Sequence, residues 1–116
     1  MDTTKSECET KEINQLETAK GKCPIRDWLD DLDGAIAVRI QARLKRVAFG
    51  NLGDVKSVGQ GVSELRLAFG SGYRLYFAQY GDEIILLLCG GDKSTQKEDI
   101  EDAKNYWLDF KRRNNA

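Results

Sequence analysis

Arginine side chains occur inside two strongly alternating segments of the chain, which is an unusual position for a cation. Arg66 lies in the segment 64–69 and Arg74 in the segment 73–78, where apolar and other residues alternate. Alternation with a period of two is typical of β-strands, and a charge inside a strand points to a face that is open to solvent or to a ligand. The two arginines are therefore the first candidates for a site.

Glycine turns beside these segments predict how the strands pair. A three-residue loop, 70–72, would place Arg66 opposite Tyr76, so that both arginines lie on one polar face with the tyrosine between them. A two-residue turn at 81–82 would add a third strand over 83–89, and Lys93 would follow at the edge of that face. The sequence thus predicts an antiparallel meander that carries a cationic and aromatic surface.

Two arginines, a lysine and a tyrosine on one surface are suited to phosphate recognition. Guanidinium groups bind phosphate through paired hydrogen bonds, and tyrosine stacks on exposed bases. The alternative is structural, because Arg66 and Arg74 could pair with Glu64, Asp92 or helix carboxylates on a solvated sheet face. The residues alone leave these two interpretations about evenly balanced.

The composition restricts the chemistry. The 116 residues include no histidine, which excludes mechanisms that use imidazole as acid or base, and no metal-ligand constellation is evident. Catalysis would use Arg, Lys, Glu, Asp or Tyr, and we expect no cofactor and no metal. Three widely spaced cysteines favour a reducing cytoplasm over a disulfide framework, and no apolar run reaches the roughly 18 residues of a membrane span.

Two helices before the strands and one after them must position the meander. Pro24 begins a predicted helix over 24–32, a second is predicted over 35–49, and a third begins at Ser94, the expected N-cap. Apolar stripes on all three indicate that they pack on the sheet, the first two as a hairpin.

Short segments complete the predicted fold. Weak alternation over 12–18 predicts a first strand at the sheet edge, and residues 55–58 predict another short strand. The fold class is therefore α+β, in a single domain over residues 11–116. The polar segment 1–10 is expected to be disordered.

Basic residues elsewhere are further candidates for RNA contact. Arg39, Arg43 and Arg46 recur at helical spacing on the second predicted helix, as either a solvated face or a phosphate-binding stripe. Lys56 precedes Arg66 by one strand and could face the same groove, or it is simply a surface lysine. A net charge of −1 restricts attraction of nucleic acid to such local patches.

Several ordered blocks of sequence carry a family resemblance. They are Pro-Ile-Arg-Asp-Trp-Leu at 24–29, Gly-Asn-Leu-Gly-Asp-Val-Lys at 50–56, Glu-Leu-Arg at 64–66, Gly-Tyr-Arg-Leu-Tyr-Phe at 72–77 and Leu-Leu-Cys-Gly-Gly-Asp-Lys-Ser at 87–94, followed by Gln96, Asp99, Ile100 and Ala103. Together they resemble the RelE/ParE superfamily of toxins, and within it the HigB-like branch of addiction module killer proteins. The resemblance covers about residues 11 to 111.

This resemblance implies a fold, a reaction and partners. The RelE-like fold packs an N-terminal helical hairpin on a small, twisted antiparallel sheet with a C-terminal helix. The toxins of this group belong to type II toxin–antitoxin pairs and cut mRNA in the ribosomal A site without a metal, by attack of a ribose 2′-hydroxyl on the adjacent phosphate. The implied partners are the ribosome with its mRNA and a HigA-like helix-turn-helix antitoxin. The resemblance also supports contact of Arg39, Arg43 and Arg46 with ribosomal RNA.

The resemblance assigns roles on the strand face. Arg74 matches the phosphate-stabilising arginine, Arg66 is the second clamp, and Lys93 stands where related toxins carry a cation proposed as general acid. Tyr76 is the candidate for stacking on a base or orienting the ribose.

The sequence departs from the RelE branch at positions that matter for proton transfer. That branch carries lysines two and four residues before the arginine that corresponds to Arg66, and this chain has Glu64 and Val62 at those positions. Asp99 falls about where that branch carries a stacking tyrosine. Glu64 either serves as general base or forms an ion pair with Arg66.

Two other classes of function remain open from the sequence. A ParE-type toxin has the same fold and inhibits DNA gyrase without nuclease activity, and the joint presence of Arg66, Arg74 and Lys93 argues weakly against it. An interaction-only remnant would keep just the groove that binds an antitoxin.

Overall fold

The structure, a computed structural model, describes residues 11–82 and 84–114 as five strands and three α-helices. In chain order these are β1 (Glu12–Gln15), α1 (Pro24–Asp31), α2 (Gly34–Ala48), β2 (Val55–Gly59), β3 (Val62–Arg66), β4 (Arg74–Tyr80), β5 (Ile84–Gly91), a 3-10 turn (Lys93–Thr95) and α3 (Gln96–Asn114). The predicted α+β class and C-terminal helix are confirmed. The predicted disorder of residues 1–10, and Glu83 as the first residue of the third meander strand, lie outside the described residues.

The strands form one sheet in the order β1-β5-β4-β3-β2. β2 to β5 pair antiparallel, as the glycine turns predict. β1 pairs parallel with β5, from Glu12 beside Ile84 to Gln15 beside Leu87, so the prediction of a purely antiparallel sheet is wrong at this edge. Alternation located the strand but not its direction, because parallel pairing depends on where a long connection returns the chain.

The first two helices do not form the predicted helical hairpin. Leu32 and Asp33 connect them, and the Asp33 carboxylate accepts a hydrogen bond of 3.2 Å from Ala35 N at the start of α2. α1 packs mainly against β5, and its contacts with α2 are few. An apolar stripe shows that a helix buries one face, but it does not show whether the partner is a helix or a sheet.

Helices cover both faces of the sheet, which limits where a site can lie. One core, beneath α1 and α2, includes Ile25, Ile40, Leu65, Leu75 and Phe77. The other core, beneath α3, includes Val62, Tyr76, Leu88, Ala103 and Trp107. Arg66 and Arg74 lie on the α3 side, so the prediction of an open polar face is wrong for most of that face. The face is accessible to solvent at Arg66, whose side chain is 41% exposed.

A β-bulge in β5 determines which residues reach α3. Tyr76 pairs with Cys89 whereas Phe77 pairs with Leu87, so Leu88 is an extra residue in β5. Leu88 and Cys89 both lie in the core beneath α3, and burial raises the pKa of the Cys89 thiol to about 12. Cys89 is therefore a core residue.

Two glycines near the bulge, Gly90 and Gly91, allow side chains of α1 and α3 to approach the backbone of β5 closely from the two sides of the sheet. A Cβ at Gly90 would overlap the indole ring of Trp28 on α1, and a Cβ at Gly91 would overlap the carboxylate of Asp99 on α3. The end of β5 is therefore clamped between two helices. Because Lys93 comes two residues after Gly91, this packing also fixes the start of the turn that carries it.

Candidate functional site

Arg66 and Arg74 lie directly opposite each other at the end of the β3–β4 hairpin. The predicted three-residue loop would have placed Arg66 opposite Tyr76. In the structure β3 already ends at Arg66 and β4 begins only at Arg74, so the loop is longer than predicted. The loop closes with a hydrogen bond of 3.0 Å from Leu67 N to Tyr73 O. The register differs from the prediction by two residues, an even number, so both arginines stay on the predicted face while their cross-strand neighbours change.

Glu64, a carboxylate without exposed surface, lies at the centre of the polar groups on this face. Its Oε1 accepts a hydrogen bond of 3.3 Å from Arg66 Nε. Its Oε2 accepts hydrogen bonds from the Tyr76 hydroxyl at 3.0 Å and from Gln96 Nε2 at 2.7 Å, and lies 3.6 Å from Arg74 Nε. We call these five residues the Glu64 cluster. Glu64 is an ion-pair partner of both arginines, which agrees with one of the two sequence-based alternatives.

The environment of Glu64 favours its charged form. Burial opposes ionisation, but hydrogen bonds from Gln96, Tyr76 and Arg66 outweigh it and hold the pKa of Glu64 below its ordinary value. A buried carboxylate with a lowered pKa that already accepts three hydrogen bonds is poorly suited to take a proton from a ribose hydroxyl. The geometry therefore argues against the alternative in which Glu64 is the general base.

Tyr76 is not available to stack on a base, contrary to the prediction. Its side chain is fully buried, and its hydroxyl donates to Glu64. Burial and the neighbouring carboxylate raise the pKa of Tyr76 far above its ordinary value, so the phenol stays protonated. Alternation placed Tyr76 on the correct face of β4, but it could not show that α3 covers that part of the face.

The two guanidinium groups differ in exposure and in how they are held. The Arg66 side chain is 41% exposed, whereas that of Arg74 is 13% exposed. Arg74 Nη1 donates to the Gly72 carbonyl at 3.0 Å. Its Nε is buried and has no hydrogen-bond acceptor among the described residues. Arg74 is thus fixed mainly by a backbone carbonyl, and Arg66 provides the accessible cation.

Lys93 lies at the rim beside Arg74, close to its predicted position. Arg74 pairs with Gly91, two residues before Lys93. A Cβ at Gly72 would lie 3.2 Å from Lys93 Cβ and 3.5 Å from Arg74 Nη1, so glycine at this position lets the two cationic residues approach each other. The Lys93 side chain is exposed.

Ser94, the predicted N-cap of the last helix, lies inside the 3-10 turn that carries Lys93, and the N-cap of this turn is Asp92. Asp92 Oδ1 accepts hydrogen bonds from Ser94 N at 2.9 Å and from Ser94 Oγ at 2.6 Å, and these lower the pKa of Asp92. α3 then begins at Gln96, which reaches Glu64 from its first turn. The sequence analysis gives Gln96 no role. The polar residues 92–99, where β5 leads into α3, are the feature that could have indicated one.

Comparison with known proteins gives the family. The family model of phage derived protein Gp49-like (DUF891) matches residues 27–106, a range that contains the whole Glu64 cluster. The chain belongs to the Gp49-like family. An uncharacterized protein of Haemophilus influenzae is 51% identical to this chain over 78 residues, which cover 66% of this chain and 79% of the relative. Gp49-like proteins are a toxin-like family of the RelE/HigB group, so the broader part of the resemblance is confirmed, and the HigB branch stays a prediction.

Lys56 of this Gp49-like protein lies on the same sheet face as the Glu64 cluster. It pairs with Glu64 across β2 and β3, and cross-strand partners point to the same side. Its side chain is exposed. The structure therefore agrees with the predicted placement beside Arg66, and a role in RNA binding stays a prediction.

Arg43 has a structural role in the Gp49-like fold. It is half-buried, and it donates to the carbonyl of Asn51 at 3.2 Å and to the carbonyl of Leu52. These bonds tie α2 to the loop that leads into β2. These bonds favour a structural role for Arg43 over phosphate contact, and a role in RNA binding stays a prediction.

Arg39 and Arg46 are exposed on α2, on the opposite side of the sheet from Arg66 and Arg74. The Arg39 guanidinium lies 4.2 Å from the centre of the Phe69 ring in the β3–β4 loop. The predicted basic stripe therefore does not extend the Glu64 cluster, and any RNA contact through Arg39 and Arg46 would form a second surface.

Neither a metal site nor a membrane helix occurs within residues 11–82 and 84–114. No group of three or more Cys, Asp or Glu side chains in this part of the Gp49-like chain could hold a metal ion. No helix there is long and apolar enough to cross a membrane.

A test of the Glu64 cluster is the pH dependence of stability. The folded pKa of Glu64 lies below its ordinary value of 4.5, so the cluster stabilises the folded chain above that pH and loses this contribution as the pH falls through the folded pKa. Glu64→Gln should lower the free energy of unfolding by about 2 kcal/mol at neutral pH, and by less at acid pH. Urea unfolding of both proteins across this range measures the difference, and a difference that stays constant or grows toward acid pH would contradict the ion pairs.

Proposed function

We propose that this protein is the toxin of a type II toxin–antitoxin system and acts in the cytoplasm as a ribosome-dependent mRNA endoribonuclease. The observation that carries the proposal is the pair of guanidinium groups, Arg66 and Arg74, which lie within ion-pair distance of one buried carboxylate at the accessible end of the sheet. Membership of a toxin-like family supports the toxin. The resemblance to RelE and HigB toxins supports the ribosome and mRNA as its targets.

The arginine pair is suited to the charge that develops during 2′-hydroxyl attack. The attacking oxygen forms a bond to the adjacent phosphorus, negative charge grows on the non-bridging oxygens, and the bond to the 5′-oxygen breaks. Donors already fixed in place stabilise such a transition state without reorganising. Glu64 accepts a hydrogen bond from Arg66 and forms a longer ion pair of 3.6 Å with Arg74, so its role in this mechanism is to help position them.

The reaction needs one proton donor and one proton acceptor, and we assign the donor to the protein and the acceptor to the ribosome–mRNA complex. Lys93, exposed at the rim beside Arg74, is our candidate to protonate the leaving 5′-oxygen. Because Glu64 is buried and already accepts three hydrogen bonds, we assign acceptance of the 2′-hydroxyl proton to a group of the ribosome–mRNA complex. Lys56 and the exposed Arg39 and Arg46 are our candidates for contacts with RNA phosphates.

The isolated protein should therefore not cleave naked RNA at physiological salt. Its net charge of −1 gives little general attraction to RNA, and the cluster offers no free base. The measurement is primer extension on one transcript, incubated with the protein in chelator, with and without programmed ribosomes. Cleavage is expected with ribosomes, and efficient cutting of the free transcript would contradict the assignment of the proton acceptor.

A DNA gyrase supercoiling assay run beside the cleavage assay separates the other classes of function. Inhibition of gyrase without mRNA cleavage would replace the proposal with a ParE-type toxin. Loss of both activities in a protein that still binds its antitoxin would indicate an interaction-only remnant.

A toxin of this kind should be neutralised by a protein encoded beside it, which we expect to be a HigA-like helix-turn-helix antitoxin. Its acidic or apolar residues should cover the Arg66 and Arg74 end or the exposed basic face of α2. Acidic partner charge should make association faster at low salt. Co-expression with the adjacent reading frame is expected to restore growth and to yield a stable complex. Failure of both would remove the toxin–antitoxin proposal.

A further inference from the structure

Gln96 is a member of the Glu64 cluster to which the proposed reaction gives no task. Its Nε2 donates to Glu64 Oε2 at 2.7 Å, a shorter hydrogen bond than those from the Tyr76 hydroxyl at 3.0 Å and Arg66 Nε at 3.3 Å. Gln96 comes from the first turn of α3, whereas Arg66, Arg74 and Tyr76 belong to β3 and β4. The helix therefore reaches across to the carboxylate that holds both arginines.

One donor of the cluster is buried without an acceptor among the described residues. Arg74 Nε is 3.6 Å from Glu64 Oε2, which is too long for a hydrogen bond. Buried N–H groups without partners are rare because they lose hydration without compensation. A carboxylate oxygen has about two lone-pair sites. Tyr76 and Gln96 occupy both sites of Oε2, which explains why Arg74 Nε stays unpaired.

We propose that Gln96 is a positioning residue that prevents Arg74 from closing onto Glu64. While Gln96 occupies Oε2, Arg74 is tied only loosely to the carboxylate, and its Nη1 is held by the Gly72 carbonyl. The buried Nε does not itself reach a phosphate, but the guanidinium stays away from the carboxylate, so that its Nη groups can donate to one. Without Gln96, Arg74 Nε would take the vacant lone pair, and one edge of the guanidinium fork would be occupied inside the protein. The phosphate in question is that of the substrate only if the proposed function holds, whereas the competition for Oε2 is independent of it.

The NMR signal of the Arg74 Nε–H group tests the competition directly. In Gln96→Ala, the Nε proton is expected to shift downfield and to exchange with water about fivefold more slowly, because it gains a hydrogen bond. Gln96→Leu keeps the volume of the side chain, removes the same donor and should give the same change. Lys97→Ala, at the exposed next residue of α3, is the matched control and should leave the signal unchanged.

Titration with inorganic phosphate, followed on the Nε signals of Arg66 and Arg74, tests the consequence for binding. Gln96→Ala and Gln96→Leu should bind phosphate about fivefold more weakly than the wild type and Lys97→Ala. An Arg74 signal that does not respond to loss of Gln96 would overturn the proposal, and so would equal phosphate affinities. Neither readout needs ribosomes, so absence of mRNA cleavage by the wild type would count against the proposed function alone.

Discussion

Arg74→Ala should abolish growth arrest and leave the chain folded. Loss of a preorganised donor to a charged transition state lowers the rate on the order of 10²-fold or more. Folding should survive because Glu64 keeps its three hydrogen-bond donors. They are Arg66, Tyr76 and Gln96. Growth after induction and mRNA cleavage on programmed ribosomes measure the activity, and circular dichroism during heating measures the fold.

Two further variants show whether charge or position is lost. Arg74→Lys keeps the charge but lacks the planar fork, so we expect it to recover only a small part of the activity. Lys20→Ala removes an exposed cation after β1, at the opposite edge of the sheet from β2 and β3, and should arrest growth as the wild type does. Full growth arrest by Arg74→Ala would show that Arg74 is not the phosphate-stabilising residue.

The sheet face on which Arg66 and Arg74 lie was predictable from the sequence, but their cross-strand partners were not. Side-chain alternation has a period of two. A register shift of two residues, or of any even number, therefore leaves Arg66 and Arg74 on the same face. The register itself depends on the loop, which spans residues 67–73 and not the three residues that the glycines suggested. A loop that closes with a backbone hydrogen bond before its first glycine leaves no clear signal in the sequence.

What covers that face could not be predicted. Tyr76 was assigned to the correct side of β4, yet α3 buries it, and α3 also brings Gln96 to Glu64. Both facts depend on where a helix more than fifteen residues away in sequence returns to the sheet, whereas periodicity describes one element at a time. The position of Lys93 was better predicted, because Gly90 and Gly91 are the last two residues of β5 and mark the end of the strand.

Gly90→Ala should destabilise the fold and reduce activity together. The new Cβ would overlap the half-buried Trp28 ring, so either α1 or the end of β5 must move. Overpacking of this kind costs about 2 kcal/mol. A shift of β5 would also displace Lys93 and the residue that pairs with Arg74, Gly91. Urea unfolding measures the stability, and mRNA cleavage on programmed ribosomes, corrected for the folded fraction, measures the activity.

Gly34→Ala is the matched control, because a Cβ there has no neighbour within 4 Å and lies at the start of α2. It should be neutral or stabilise the fold by up to about 1 kcal/mol. Trp28→Leu in the Gly90→Ala background should restore part of the lost activity, since the smaller side chain lets β5 return to its position, and residues in contact couple in this way. Wild-type stability and cleavage in Gly90→Ala would show that the contact between α1 and β5 does not hold the Lys93 turn in place.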